Sequence, residues 1–217
     1  MFTVIMDKDL KLIETMLWEK GGIFLEGLHM ERLTKSADYF AFPCDMDLIK
    51  RQLRQYEDEI PAGERRKIRL LLSSSGNIEI SVSGLAPEPQ EPVRICFSEK
   101  TTDSNDTFLR HKTTSRRLYD SELELCRSRG FFETVFMNEK AQVTEGAVTN
   151  VIIEKNGEFY TPPIECGVLP GVYREYLLRS GVLPVPEKIL SREDLEKADR
   201  IFICNSVIKL LEARLAG

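Results

Sequence analysis

The sequence predicts an α+β protein in two domains: a smaller N-terminal α/β domain over 1–107, and a larger C-terminal β-rich domain with flanking helices over 108–217. Three observations carry that prediction. In the N-terminal half, runs rich in β-branched and long apolar residues lie on both sides of two helical patterns. The segment “SEKTTDSNDTF”, 98–108, is polar and lacks an apolar period, as an interdomain linker would. Beyond it, short strand-like runs separated by turn residues are set among helical patterns, with no internal repeat.

The elements follow in order. “LKLIETMLWEKGGIFLEG” reads as two strands around a Lys20-Gly21-Gly22 turn. In “HMERLTKSADYF” the residues Leu33, Ala37 and Phe40 recur at helical spacing, Arg32, Ser36 and Tyr39 share the adjacent stripe, and Pro43 closes the helix. Asp45 or Asp47 can cap the next helix, “DLIKRQLRQYE”. “KIRLLLSSSGNIEISV” and “EPVRICFS” are β-rich, with the proline-bearing “APEPQEP” between them. After the linker, “TSRRLYDSELELCRSRG” aligns Leu118, Tyr119, Leu123, Leu125 and Cys126 along one side and stops at Gly130. “FFETVFMN”, “AVTNVIIEK” and “GEFYTPP” are short strands, the last two joined by a hairpin turn at Asn156-Gly157. A helix through “VYREYLLRS” follows “LPG”, and then come a strand, the helix “REDLEKAD” and the strand “RIFICN”.

Composition excludes several function classes. With 30 Lys and Arg against 35 Asp and Glu the chain carries a net charge of −5, which argues against wholesale attraction to nucleic acid or an anionic membrane and makes any anion site local. The start, “MFTVIMDKDLKLIETM”, breaks its apolar residues with charges and lacks a small-residue cleavage site, so it does not read as a signal peptide. No apolar run approaches the roughly 20 residues that span a bilayer. Cys44, Cys96, Cys126, Cys166 and Cys204 are scattered and never form a C-x-x-C pair, which reads as reduced thiols in a cytoplasmic protein. His29 and His111 are too few for a His-rich zinc site, so no metal is expected, and neither common nucleotide-cradling glycine motif occurs.

Four local features can carry chemistry, and each also has a plain structural reading. In “CGVLPGVYREYLL” the backbone N–H groups of Gly171, Val172 and Tyr173 at a helix start can converge on an anion, although every helix has such an end. Glu145 in “QVTEGAVTN” places a carboxylate at the edge of a buried strand, or is a solvated turn residue. Arg32 by itself reads as a surface charge on a helix of mixed charges. Lys112, in “RHKTTSRRLYD”, has Arg110, Arg116 and Arg117 as cationic neighbours that lower an amine's pKa, yet most lysines are solvated charges. Together, a phosphate-binding helix start, an arginine, a carboxylate and an activated lysine are the parts that pyridoxal phosphate needs.

The run “VTEGAVTNVIIEKNGEFYTPPIECGVLPGVYRE” resembles the signature of the class IV aminotransferases, pyridoxal-phosphate enzymes of fold type IV like D-amino-acid aminotransferase. “LHMERLTKSADYF” is similar to that family's N-terminal His-x-x-Arg-Leu helix and “LIETMLW” to the strand before it, so the resemblance covers nearly the whole chain in order. Within the family, “HKTTSRRLYD”, “TPPIECGVLPGVYR” and “ICNSV” look most like aminodeoxychorismate lyases, including the lyase module of fused aminodeoxychorismate synthases. Branched-chain transaminases tend to carry Gly-Gly-Asn-Tyr after their lysine, and this chain does not.

The resemblance implies roles residue by residue. Lys112 matches the catalytic lysine that holds the cofactor as a Schiff base, Glu145 the partner of the pyridine nitrogen, and Arg32 the phosphate-binding arginine. Leu169 would lie against the cofactor ring, Gly171, Val172 and Tyr173 would offer backbone N–H groups to the phosphate, and Asn205 and Ser206 fall where the family places a further phosphate contact. The chain departs from the family at Val172-Tyr173, where many members have Ile-Thr and use the threonine hydroxyl on the phosphate; Tyr173 is expected to contribute its backbone alone. The implied activity is release of pyruvate and 4-aminobenzoate from 4-amino-4-deoxychorismate, a step of folate biosynthesis. The alternatives are a transaminase acting on a branched-chain or D-amino acid and a non-catalytic module that binds cofactor or a partner. A homodimer acting on a small-molecule substrate is also implied.

Overall fold

A computed structural model describes residues 9–61 and 63–216, which form two compact units. The first unit comprises the described residues up to Ala86 together with Lys112–Ser115. Its elements are β1 (Lys11–Glu19), β2 (Gly22–Ile23), α1 (Glu26–Phe40), α2 (Met46–Asp58), β3 (Arg66–Ser73) and β4 (Ile78–Gly84). The strands form an antiparallel four-stranded sheet in the order β2-β1-β3-β4. The turn between β1 and β2 puts Lys20 and Gly21 at positive φ, which a two-residue hairpin loop requires.

Along β3 the buried Ile68, Leu70 and Leu72 alternate with more exposed positions, the period of a sheet with one packed face. α1 buries the expected stripe of Leu33, Ala37 and Phe40, and Met30 and His29 with it. It starts at Glu26, before the predicted stretch, and ends at Ala41 in the left-handed region, ahead of Pro43. Asp45 caps α2 by accepting a hydrogen bond from Leu48 N at 2.9 Å. Lys112–Thr114 joins this unit because it pairs with β1: Ile13 N donates to Lys112 O at 2.7 Å and Thr114 N to Lys11 O at 2.9 Å.

The second unit comprises Pro87–His111 and the described residues from Arg116 onward. It contains β5 (Val93–Thr102), α3 (Arg117–Ser128), β6 (Glu133–Asn138), β7 (Val143–Gly146), β8 (Asn150–Lys155), β9 (Glu158–Tyr160), α4 (Val172–Ser180), α5 (Arg192–Glu196), β10 (Arg200–Asn205) and β11 (Lys209–Leu215). The strand order is β10-β11-β5-β6-β7-β8-β9, and a further pairing of β10 with β8 closes the sheet on itself, leaving β9 outside the ring. Ile95, Val135, Val143, Val151, Ile153, Ile203 and Leu211, drawn from every strand of that ring, share one core. The intervening Ile152, Phe202 and Cys204 point the other way and pack with Leu177 of α4, as alternation along a strand demands.

Several sequence expectations change here. Ser98–Thr102, read as linker, is the end of β5: Thr101 and Thr102 pair with Met137 and Asn138, and Ser98 Oγ donates to Glu122 at 2.8 Å. The expected division at 107/108 therefore falls inside the second unit, and the break follows Ala86 in the proline-bearing segment. β7 and β11 were not anticipated. Between α4 and α5 there are isolated bridges, Thr161 with Glu187 and Gln142 with Ser191, in place of the expected strand. On α3, Tyr119, Leu123 and Cys126 are buried as expected, but Leu125 is 41% exposed.

Candidate functional site

In the first unit, a buried charged cluster surrounds Arg32. Glu14 sits in the middle of β1 at 1% exposure, with the buried Leu12 and Met16 two residues away on either side, and could not remain charged there without partners. Arg32 grips it with a fork, Nε to Oε1 at 2.9 Å and Nη2 to Oε2 at 2.6 Å, and His29 Nδ1 lies 2.6 Å from Oε2. Three residues of spacing put His29 and Arg32 on one face of α1, directed at the same carboxylate. Burial pushes the Glu14 carboxyl up, but Arg32 and His29 outweigh it and hold the pKa at about 2.

His29 is therefore a donor through Nδ1. Burial depresses its own pKa, opposed by Glu14 and reinforced by the charges of Arg32 and Lys112, so the ring is neutral and Nε2 is left as a lone-pair acceptor. Nε2 finds no hydrogen-bond partner among the described residues. Lys112, set by its backbone bond to Ile13, is close enough to His29 for its charge to be felt there.

In the second unit, Glu145 is part of β7 and is 6% exposed, a buried sheet residue more than an edge turn. Its Oε1 accepts the Tyr119 hydroxyl at 3.1 Å, and its Oε2 accepts Leu169 N at 3.0 Å and Asn150 Nδ2 at 3.4 Å. The same Asn150 Nδ2 donates to Leu169 O at 3.0 Å, so Glu145 and Asn150, a register pair across β7 and β8, clamp Leu169 by both its amide and its carbonyl. Burial and the Glu145 charge drive the Tyr119 hydroxyl far above its ordinary pKa, so it is a neutral donor. Arg116 lies over the Tyr119 ring at 5.5 Å.

The turn that Leu169 opens leads into α4, whose N-cap is Gly171 with no side-chain cap. Glycine is needed there for room: a Cβ would stand 1.8 Å from Asn150 Oδ1. Glu175 N closes the first helical bond onto Gly171 O, so Val172 and Tyr173 lie in the first turn, where backbone N–H groups and the helix dipole favour an anion. The Tyr173 ring packs beside Tyr176 at 5.8 Å against the apolar cluster of Ile152, Leu177 and Phe202.

At the end of β10, the Asn205 side chain is spent on backbone. Its Oδ1 accepts Val207 N at 2.9 Å and Ile208 N at 3.0 Å, and its Nδ2 donates to Val148 O at 3.1 Å. Ser206 is buried beside it. Glu145, Leu169, Gly171 and Asn205 are thus joined through one network with Asn150 and the Val148 turn, whereas Arg32 and Lys112 belong to the first unit. Glu14, His29, Tyr119 and Asn150 are the polar residues of these clusters that carried no assigned site role in the sequence reading. The available signal was a charged residue inside an apolar strand for Glu14 and the i, i+3 spacing of His29 and Arg32. Among the described residues, no group of three or more His, Cys, Asp or Glu side chains gathers as metal ligands would.

A buried carboxylate accepting from Tyr119, a turn too tight for a Cβ and an uncapped helix start fit a ring with a protonated nitrogen and a phosphate monoester. Residues 11–215 match the family described as amino-transferase class IV. A Schizosaccharomyces pombe protein provisionally named an aminodeoxychorismate lyase is 23% identical over 214 residues, 94% of this chain and 89% of that protein. A Thermotoga maritima protein provisionally named a branched-chain-amino-acid aminotransferase is 26% identical over 210 residues, 93% of this chain and 75% of its own. The crystal structure of a Mesorhizobium loti protein, provisionally described as an amino-acid aminotransferase, superposes with a TM-score of 0.86 at 33% identity, covering 96% of this chain and 100% of that one. With a family match that begins in β1 and ends in β11, the chain belongs to the class IV aminotransferases and has their fold type IV architecture.

Proposed function

We infer that this chain is a 4-amino-4-deoxychorismate lyase, releasing pyruvate and 4-aminobenzoate. One observation carries the reading furthest: Tyr119, from the lyase-like run “HKTTSRRLYD”, donates its hydroxyl to Glu145. The run that departs from the transaminase pattern after Lys112 thereby supplies the partner of the carboxylate assigned to the ring nitrogen. The S. pombe relative supports the same reading.

Pyridoxal 5′-phosphate is the cofactor of the class, and when bound it accepts the electron pair left on a carbon that loses a proton. The chain's own residues divide the remaining work. Lys112 would hold the cofactor, and its freed amine would be the base that takes the proton from substrate C4. Glu145, which accepts from Tyr119, Asn150 and Leu169, would face the ring nitrogen and favour its protonated form. In the first unit Arg32, locked by Glu14, would be the arginine for the phosphate; in the second the first turn of α4 would offer backbone N–H groups, Tyr173 contributing backbone alone, and Ser206 is the hydroxyl proposed for it. The electron pair from C4 expels the enolpyruvyl group, which takes up a proton to become pyruvate, and the ring becomes aromatic.

The test is a coupled assay for pyruvate formed from 4-amino-4-deoxychorismate, run beside a control with branched-chain and D-amino acids as amino donors. Pyruvate release that Lys112→Ala abolishes is the expected result. The second reading, a transaminase, is favoured by the T. maritima relative. Accumulation of pyridoxamine phosphate with an amino donor, and no pyruvate from 4-amino-4-deoxychorismate, would replace the first reading by the second. A homodimer is part of the proposal, and light scattering of the purified protein reads it directly.

A further inference from the structure

Glu133 is a buried carboxylate with no role in the reading above. It opens β6 at 0% exposure, where a charge requires compensation. Its compensation is four hydrogen-bond donors: Oε1 accepts Thr134 N at 3.0 Å and Ala147 N at 3.1 Å, and Oε2 accepts Val148 N and Thr149 Oγ1, each at 3.1 Å. Three of the donors belong to Ala147–Thr149, the turn that links Glu145 in β7 to Asn150 in β8.

Other groups hold the turn's remaining polar atoms. Arg116 Nη2 donates to Ala147 O at 2.6 Å, Asn205 Nδ2 to Val148 O at 3.1 Å, and Gly146 N to Thr149 O at 2.7 Å. Gly146 gives Glu133 its approach, since a Cβ there would lie 2.9 Å from Glu133 Cδ and 2.3 Å from Thr149 Oγ1. A carboxylate suits this position because every group facing it is a donor. A glutamine side chain would turn an NH2 toward at least one backbone N–H, on either flip.

We propose that Glu133 is a positioning residue for Glu145: by gripping Ala147–Thr149 it fixes the separation of Glu145 and Asn150, and through them the seat of Leu169 and Gly171. The proposal rests on the reading of Glu145 as partner of the ring nitrogen. Glu133 acts through the turn and has no contact with substrate, so its loss alters how well Glu145 is aimed and leaves the composition of the site unchanged.

The experiment loads the apoprotein with pyridoxal phosphate labelled with 15N in the ring and reads the nitrogen's chemical shift, together with turnover and thermal unfolding. The wild type should show a protonated ring nitrogen. Glu133→Gln should move the signal toward neutral pyridine and lower kcat by about a hundredfold with KM little changed, and Glu133→Asp should fall between the two. A Glu133→Gln protein that keeps the wild-type shift and kcat while only its melting temperature falls overturns the proposal, leaving Glu133 as a stabiliser. A wild type with an unprotonated ring nitrogen instead overturns the reading of Glu145. If Glu133→Gln does not fold, Thr149→Val removes one donor without changing charge; a smaller displacement in the same direction supports the proposal, and an unchanged shift and kcat reject it.

Discussion

Asn150 shows at the residue scale how closely this site is fitted. Its Nδ2 serves both Glu145 and Leu169, and its Oδ1 occupies the space a Gly171 side chain would need. Gly171→Ala should therefore act by displacing Asn150 and breaking those bonds, costing about 2 kcal/mol of stability and weakening pyridoxal phosphate binding. The cause can be isolated with Asn150→Ser, which should lose its own bonds but make room for the methyl group. In that background Gly171→Ala should cost a few tenths of a kcal/mol, a non-additivity that denaturant unfolding of the four proteins measures. Full additivity would mean that the glycine is required for another reason. This coupling was not legible in the sequence, because Asn150 and Gly171 meet through folding alone. Lys112, Glu145 and Arg32 are proposed as a set from the order of their motifs alone. Glu14, His29, Tyr119 and Glu133 were not legible, since a carboxylate in a strand or a tyrosine on a helix announces no partner until the chain is folded. The assignment of Asn205 to phosphate was made from position, and its amide is occupied by Val148, Val207 and Ile208.

Elements tell a similar story of local signals confirmed and long-range ones missed. Two candidate caps preceded α2 in the sequence; the structure uses Asp45, with Asp47 in the first turn as a negative charge near the helix N-terminus. Asp45→Ala should cost about 1 kcal/mol and lower Tm by roughly 3 °C, whereas Asp47→Ala, which removes only a favourable dipole contact, should cost about 0.3 kcal/mol. The reverse order in thermal melts would show that Asp47 is the true cap. α1, α2 and α3 were readable because an amphipathic helix writes its period within one stretch of chain. β11, “KLLEARL”, is made of good helix formers and is a strand because β10 and β5 flank it, a case of tertiary pairing overriding propensity. Ser98–Thr102 is polar for the same reason it misled: its strand character comes from β6 alongside, and Glu99, Lys100 and Thr101 are exposed, with only Thr102 buried. β7 is four residues long and holds Glu145 and Gly146, too short and too polar for a periodic signal.

For the whole molecule, the two units carry buried carboxylates whose responses to acid have opposite signs. Glu14 in the first unit is held at about 2, below its ordinary 4.5, so it contributes stability above the unfolded value that is lost as pH falls from 4.5 toward 2. A shift of that size corresponds to roughly 3 kcal/mol when the unfolded chain is unperturbed. His29 adds to the loss, because burial keeps it neutral while the unfolded chain takes up a proton below pH 6.5. Glu133 in the second unit has its pKa raised, above all by burial and against its four donors, so it takes no part in that loss on acidification. Acid should accordingly loosen the first unit before the second. Hydrogen exchange, normalised to the unfolded chain, should show peptides from β1 and α1 losing protection on going from neutral pH to about 3 while peptides from β6 and β8 keep theirs. Glu14→Gln should narrow that difference in acid and leave the protein less stable at neutral pH, since Arg32 and His29 then face an uncharged partner. Loss of protection in β6 and β8 first would mean that Glu14 and His29 do not govern the acid response, and that the cluster holding Arg32 is weaker than its distances indicate.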